Sequence, residues 1–252
     1  MKICVIPDAQ VKSDVSIKHL LWAGKYIADK KPDVIVNIGD FWDMPSLSHY
    51  DVGKKSFEGR RYKKDVEAGN IAMDLFLQPI LKEINRLKKN KKKQWNPRFI
   101  FTIGNHEERI ARAIENDCIL EDTIGYKDLN LSAWEVYDYL KPVVVEGVAF
   151  AHFFTSGVMG RPVASARALL NKRFMSCVMG HVQNRDIAYA ERADGKRLTG
   201  LFAGIFYDHD EDYLGNQGNG AWKGIWMLNE VSEGGFDELP VSLEYLRGKY
   251  DG

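Results

Sequence analysis

Five short apolar runs in this chain each end in residues that bind metals. Met1-Lys2-Ile3-Cys4-Val5-Ile6-Pro7 runs into Asp8-Ala9-Gln10. Val34-Ile35-Val36-Asn37-Ile38 runs into Gly39-Asp40-Phe41-Trp42-Asp43. Phe99-Ile100-Phe101-Thr102-Ile103 leads to Gly104-Asn105-His106-Glu107. Val148-Ala149-Phe150-Ala151 leads to His152, and Met175-Ser176-Cys177-Val178-Met179 leads to Gly180-His181-Val182-Gln183. Carboxylate, amide and imidazole are the side chains that hold divalent cations. A single Gly-Asp after a strand is often only a turn and a cap. Five such endings are explained most economically by one convergent metal site.

The elements that must position these residues follow from the same pattern. Val- and Ile-rich runs without alternation read as strands buried on both faces of a sheet. In an open α/β sheet, ligands collect at the carboxyl ends of such strands. Residues 15–30 carry Ile17, Leu20, Leu21, Ala23, Ile27 and Ala28 at helical spacing, with Ser13 or Asp14 as the cap and Pro32-Asp33 as the stop. Strand, helix, strand is a βαβ unit with a right-handed crossover.

Residues 44–59 lack a period and directly follow Asp40, so they are expected to overhang the site; His49 lies among them. Residues 60–93 read as a long helix, kinked at Pro79 and ending in Lys88, Lys89, Lys91, Lys92 and Lys93. That basic end is either a solvated helix terminus or, with Trp95, a contact for a phosphate backbone. Residues 107–115, 129–140 and 161–173 read as further helices. Val143–Val145 and Val148–Phe150 form a hairpin across Glu146-Gly147, and a second hairpin turns at Ala193-Asp194-Gly195. Edge strands are expected at 224–228 and 241–245. Parallel units first and hairpins later point to two sheets packed face to face with helices outside. No domain boundary or internal repeat stands out, so the expectation is a single domain over 1–252 with a helical insertion around 44–95.

Composition excludes some functions. Lys plus Arg and Asp plus Glu are 35 each, so no global charge bias favours nucleic acid or membrane. Hydrophobic residues at 45% and charged residues at 28% fit a globular protein. Cys4, Cys118 and Cys177 are scattered and odd in number, which reads as core thiols in a reducing compartment. No signal peptide or membrane span is read, and a cytoplasmic location is expected (the host cytoplasm if phage-encoded).

The set Asp8-x-Gln10, Gly39-Asp40-x-x-Asp43, Gly104-Asn105-His106-Glu107, His152 and Gly180-His181-x-Gln183 resembles the calcineurin-like metallophosphoesterases in order and spacing. The tone of residues 41–62 resembles members found in tailed-phage genomes. The resemblance implies a four-layer αββα sandwich, with one or two divalent metal ions per chain. It implies a bridging Asp40, a first site of Asp8, Gln10, Asp40 and Gln183, and a second of Asp40, Asn105, His152 and His181. Such pairs sit about 3.5–4 Å apart and clamp both oxygens of a displacement at phosphorus. His106 would protonate the leaving alkoxide and Asp43 would orient it. The implied reaction is hydrolysis of a phosphoester by metal-activated water.

Two departures stand out against that family. Gln10 and Gln183 stand where imidazoles are usual, and both fall on the first site. An amide oxygen is a neutral, hard ligand suited to Mg, Ca or Mn, so the first site should be weak or empty, while the second can hold Mn, Fe, Zn or Ni. Met44-Pro45 follows Asp43 where the phosphoprotein phosphatases of the family carry Arg-Gly. The expected substrate is a phosphodiester of nucleic acid or nucleotides. The alternatives are a phosphomonoesterase, or a non-catalytic binding protein with a degraded first site. The oligomeric state is not read from the sequence. His19 is expected to be structural and His209, in the acidic aromatic run 207–213, to be solvated.

Overall fold

The computed structural model describes residues 1–211 and 220–252. Asp212 and Tyr213 of the acidic run lie outside the described residues. Two mixed sheets pack face to face with helices outside, the expected α/β sandwich. The first sheet has the order β11-β10-β1-β2-β3-β4. Its parallel core is β1 (Ile3–Ile6), β2 (Val34–Asn37), β3 (Arg98–Thr102) and β4 (Glu135–Tyr137). The antiparallel pair β10 (Gly224–Ser232) and β11 (Gly235–Ser242) extends it beyond β1. The second sheet has the order β5-β6-β7-β9-β8, from β5 (Val143–Val145), β6 (Val148–Phe150), β7 (Ser176–Met179), β8 (Arg185–Glu191) and β9 (Arg197–Ala203).

Period-two alternation sorts the core into three layers. Ile3 and Val5 of β1 meet Val143, Phe150 and Val178 of the other sheet in the inter-sheet core. Cys4 and Ile6, on the opposite face, pack against the helices α1 (Lys18–Lys30), α2 (Tyr62–Lys89) and α5 (Leu243–Tyr250). The far face of the second sheet is covered by α4 (Ala166–Arg173), through Leu169 and Leu170. α3 (Glu108–Asn116) joins the helical layer through Ile110. α1 and α2 approach so closely at Gly24 that a β-carbon there would lie 2.3 Å from the Phe76 carbonyl oxygen. Among the described residues, no helix is long and apolar enough to cross a membrane.

Several local expectations are corrected. Residues 129–140 do not form a helix: Glu135–Tyr137 pairs in parallel with Ile100–Thr102, and Trp134 packs on Phe76, Phe99 and Phe101. An open edge of β3 and a ring cluster outweigh helical spacing here. Gly224–Leu228 is not an edge, because β11 flanks it. Residues 243–245 open α5 and do not extend a strand, since Ser242 caps that helix by accepting from the Tyr245 amide at 3.2 Å. Neither Ser13 nor Asp14 caps α1, which begins after Ile17 without a side-chain cap. The helix expected from 161 starts at Ala166, capped by Ser165. The three cysteines are free, with Cys4 and Cys177 buried and Cys118 exposed.

Candidate metal centre

Asp8 follows β1, Asp40 follows β2, and Asn105 and His106 follow β3. His152 follows β6 and His181 follows β7. β1, β2 and β3 run parallel in one sheet and β6 and β7 in the other, and contacts among the residues that follow them bring the five carboxyl ends to one rim of the sandwich. A bond across the sheets ties them there: His152 Nδ1 lies 2.9 Å from the Ile38 carbonyl oxygen. That carbonyl accepts the Nδ1 proton, which leaves the Nε2 lone pair facing the rim.

Four donor atoms converge at that rim. His152 Nε2 lies 2.9 Å from Asn105 Oδ1, 3.3 Å from His181 Nδ1 and 3.2 Å from Asp40 Oδ2. His181 Nδ1 lies 2.6 Å from Asn105 Oδ1. Adjacent ligands of one cation bound at about 2.1 Å are separated by about 3 Å. The spacing and the mixed nitrogen and oxygen set therefore fit a divalent cation. Asp40, His152 and His181 form a candidate metal-binding cluster among the described residues.

Electrostatics agree with that fit. Burial opposes ionisation of Asp40, but the neighbouring His106 and His152 more than offset it and hold the carboxyl below its usual range. Burial, with His152 beside it, lowers His181 to about 4, so its nitrogen is free to ligate. Burial also disfavours a charged His152, yet Asp40 outweighs it and raises the imidazole to about 9. A proton and a cation compete for that Nε2 lone pair.

Asp8 stands at the border of the cluster. Its carboxylate accepts from the His181 amide at 3.0 Å and lies 4.0 Å from His152 Nδ1. Burial, with some push from Asp40, raises its carboxyl to about 7. Gln10 is buried, and its backbone N–H donates to the Asp40 carbonyl at 2.8 Å. Gln183 lines the same cleft as Asp40 and His181. Gln10, Asp40, Met44, His181 and Gln183 all have φ between 41° and 66°. A left-handed non-glycine residue costs about 1–2 kcal/mol.

Glu107 holds this rim together, and the sequence assigned it no role. Its buried carboxylate accepts from the amides of Asp40 and Gly104 through Oε2, each at 2.9 Å. Through Oε1 it accepts from Phe41 at 2.7 Å and Trp42 at 3.0 Å. Burial, with the Asp40 carboxylate nearby, raises its carboxyl to about 6. Gly104 is required beside it, since a β-carbon there would lie 2.2 Å from Asp40 Oδ1.

His106 and Asp43 stand within a hydrogen bond of each other. His106 Nδ1 lies 2.7 Å from Asp43 Oδ1 and 2.9 Å from the Asp43 carbonyl oxygen. Its amide donates to Asp40 Oδ1 at 2.9 Å, and its Nε2 lies 3.6 Å from Asp40 Oδ2. Burial disfavours the imidazolium, but Asp40 and Asp43 outweigh it and hold the pKa above its ordinary value.

The metal cluster and this pair open into one cleft of about 1250 Å³. Its far wall is the 44–65 segment, which contributes Tyr50, Arg60, Arg61 and Lys64. The sequence signal for that wall was the absence of a period in residues 44–59 directly after the Asp40 turn. His49 is exposed and does not line the cleft. Lys88 to Lys93 are exposed at the other end of the molecule: the next buried residue, Trp95, donates from Nε1 to the Pro32 carbonyl at 2.7 Å, just before β2 begins. Asp40 sits beyond the far end of that strand, about 20 Å away at the rise of a strand. His209 is not solvated, since its Nε2 lies 2.6 Å from Glu211 Oε1, which also accepts from Lys12 at 2.7 Å. His19 is buried in the core, its ring edge-on to Phe206 at 5.0 Å.

No protein-family model matches the chain. Two curated relatives, both called Gene 54 protein, come from Mycobacterium phages L5 and D29. They are 38% and 37% identical over 79 residues. Those residues are 31% of this chain and 29% of each relative, so the match spans under a third of the relatives' length. Among solved structures, YfcE, a phosphoesterase from E. coli, aligns over 96% of this chain and 100% of its own, at 14% identity and a TM-score of 0.38. At that score the likeness decides nothing about activity.

Proposed function

We propose that this protein is a metal-dependent phosphoesterase, and that its substrate is a phosphodiester of nucleic acid or a nucleotide. The observation that carries the reading is a juxtaposition. Four metal-type donors lie within 3.3 Å of one another along the chain of contacts Asp40, His152, His181 and Asn105, and the His106–Asp43 pair stands beside them in the same cleft. Asp40, Asn105, His152 and His181 would hold the first-filled cation; Asp8, Gln10 and Gln183, with Asp40, would hold a weaker one. A bound divalent cation supplies Lewis acidity toward a phosphoryl oxygen and makes water a better nucleophile.

The chain's own residues supply the remainder. Asp43 accepts the Nδ1 proton of His106, so that Nε2 faces the cleft. The Asp40 and Asp43 carboxylates favour the imidazolium, which keeps a proton on Nε2 for the departing oxygen. The leaving alkoxide takes that proton as its bond to phosphorus breaks. A cleft of about 1250 Å³ exceeds the usual small-molecule pocket of about 300–1,000 Å³, which supports a nucleotide or a strand segment as substrate over a small monoester.

The test is a panel of generic mono- and diesters assayed with each divalent metal, together with elemental analysis of the purified protein. Turnover should need metal and favour diesters. Asp40→Asn and His181→Ala should lose both metal and turnover. A wild type that binds metal yet is inactive on every ester would favour the non-catalytic binding protein.

A further inference from the structure

Arg109 lies in the first turn of α3, three residues after His106, which sits in the turn that leads into that helix. Its side chain is 16% exposed and lines the cleft. One end of the guanidinium is anchored: Nη1 donates to the Asp43 carbonyl at 2.8 Å and to the Met44 carbonyl at 3.2 Å. These are neutral acceptors. The nearest Asp43 carboxylate oxygen is 3.9 Å away and is already engaged by His106 Nδ1 at 2.7 Å. The charge of Arg109 is therefore only partly compensated.

The other end points at the chemistry. Nη2 lies 3.3 Å from His106 Nε2, the atom that must face the leaving group. Any phosphoryl group within reach of Nε2 is also within reach of Nη2. The contact it makes now is long, and an Nε2 that carries its proton offers Nη2 no lone pair to hold it. A phosphoryl oxygen is an anionic acceptor, and charge-assisted bonds are roughly twice as strong as neutral ones. Three other cations of the cleft are less available: Lys12 is held by Glu211 at 2.7 Å, and Lys54 and Arg60 are both held by Asp51, at 2.8 and 2.7 Å. Arg61 and Lys64 stand on the wall that residues 44–65 contribute, whereas Arg109 Nη2 is the guanidinium nitrogen beside His106 Nε2.

We infer that Arg109 is the substrate-gripping cation of this site, its Nη2 leaving His106 Nε2 to take a non-bridging phosphoryl oxygen while Nη1 stays on the 43–44 carbonyls. This rests on the phosphoesterase reading for its substrate, but not for its test. The exchange also clears Nε2, so phosphate binding and release of the proton-carrying atom become one event.

The experiment compares wild type, Arg109→Gln and Arg109→Lys, all loaded with manganese to equal measured content. Inorganic phosphate binding is measured by calorimetry, and KM and kcat are measured on a generic diester. Arg109→Gln should weaken phosphate binding roughly ten- to hundredfold, the range for a lost hydrogen bond to a charged group, with KM rising in parallel and kcat falling less. Arg109→Lys should lie between, because it keeps charge but loses the fork. If Arg109 only splints residues 43–44, the thermal midpoint and kcat fall while phosphate affinity holds, and the inference is overturned. A wild type that binds no phosphate overturns it as well. A wild type that binds phosphate, weakened in Arg109→Gln, but cleaves no ester keeps the inference and sinks the hydrolase reading.

Discussion

Glu107 Oε2 accepts the backbone amide of Asp40 at 2.9 Å, so the turn that aims the central carboxylate of the site is held by a residue from the neighbouring strand's loop. Asp40 needs this support because its φ is 50°. Without it, the amides of Asp40, Phe41, Trp42 and Gly104 would all be buried and unpaired. Glu107→Ala should therefore cost at least about 3 kcal/mol, since each buried unsatisfied group costs about 1–3 kcal/mol. Glu107→Gln should cost less but still misplace the turn, because its NH₂ would face donors. Urea unfolding midpoints check the order. Metal content should fall in both variants, and full retention of stability in Glu107→Ala would show that water replaces the carboxylate.

His106→Ala should keep its fold and its metal and lose turnover by about 10²–10⁴-fold on esters with poor leaving groups. An activated aryl ester needs less protonation and should suffer less. Steady-state rates on the two substrate types measure this. Equal small losses on both would remove His106 as the proton donor.

Gln10 and Gln183 bear on whether a second cation matters. If Asp8, Gln10, Asp40 and Gln183 form a weak oxygen-rich site, wild-type activity should rise steeply with added Mn²⁺ or Mg²⁺ after the first cation is bound. Gln10→His combined with Gln183→His should lower the metal concentration needed for half-maximal rate. Each single change should do less, because both groups act on one ion. A metal titration against a generic diester decides it. Full activity with one tightly bound metal and no response to added cation defeats the two-site reading.

His19 sets a pH limit on stability away from the site. It is 1% exposed, and burial lowers its pKa from 6.5 to about 3. The unfolded chain therefore binds this proton more readily, so stability is intact above pH 6.5 and declines as pH falls toward 3. Between pH 7 and 5 the loss from this residue is about 2 kcal/mol. His19→Leu should flatten the fall in thermal midpoint over that interval. An unchanged slope would assign the acid sensitivity to other groups.

The five apolar runs and their polar endings were legible because strand burial and metal-ligand type are local properties of sequence. They located β1, β2, β3, β6 and β7, while the hairpins were read from the turns at Glu146-Gly147 and Ala193-Asp194-Gly195. Glu107 and Arg109 could be read only as neighbours of His106: their roles depend on the loops after β2 and β3 lying side by side, a long-range pairing with no local signal. The same holds for residues 129–140, where helical spacing lost to an open edge of β3 and to the Trp134 ring cluster. Lys88 to Lys93 is the converse case. Its charge was plain in the sequence, but only the packing of Trp95 beneath Pro32 set it at the far end of β2 from the cleft. Residue type and strand period dictated which groups could do chemistry. The tertiary structure decided which of them stand within a hydrogen bond of one another, because that distance is fixed by pairing between elements far apart in the chain.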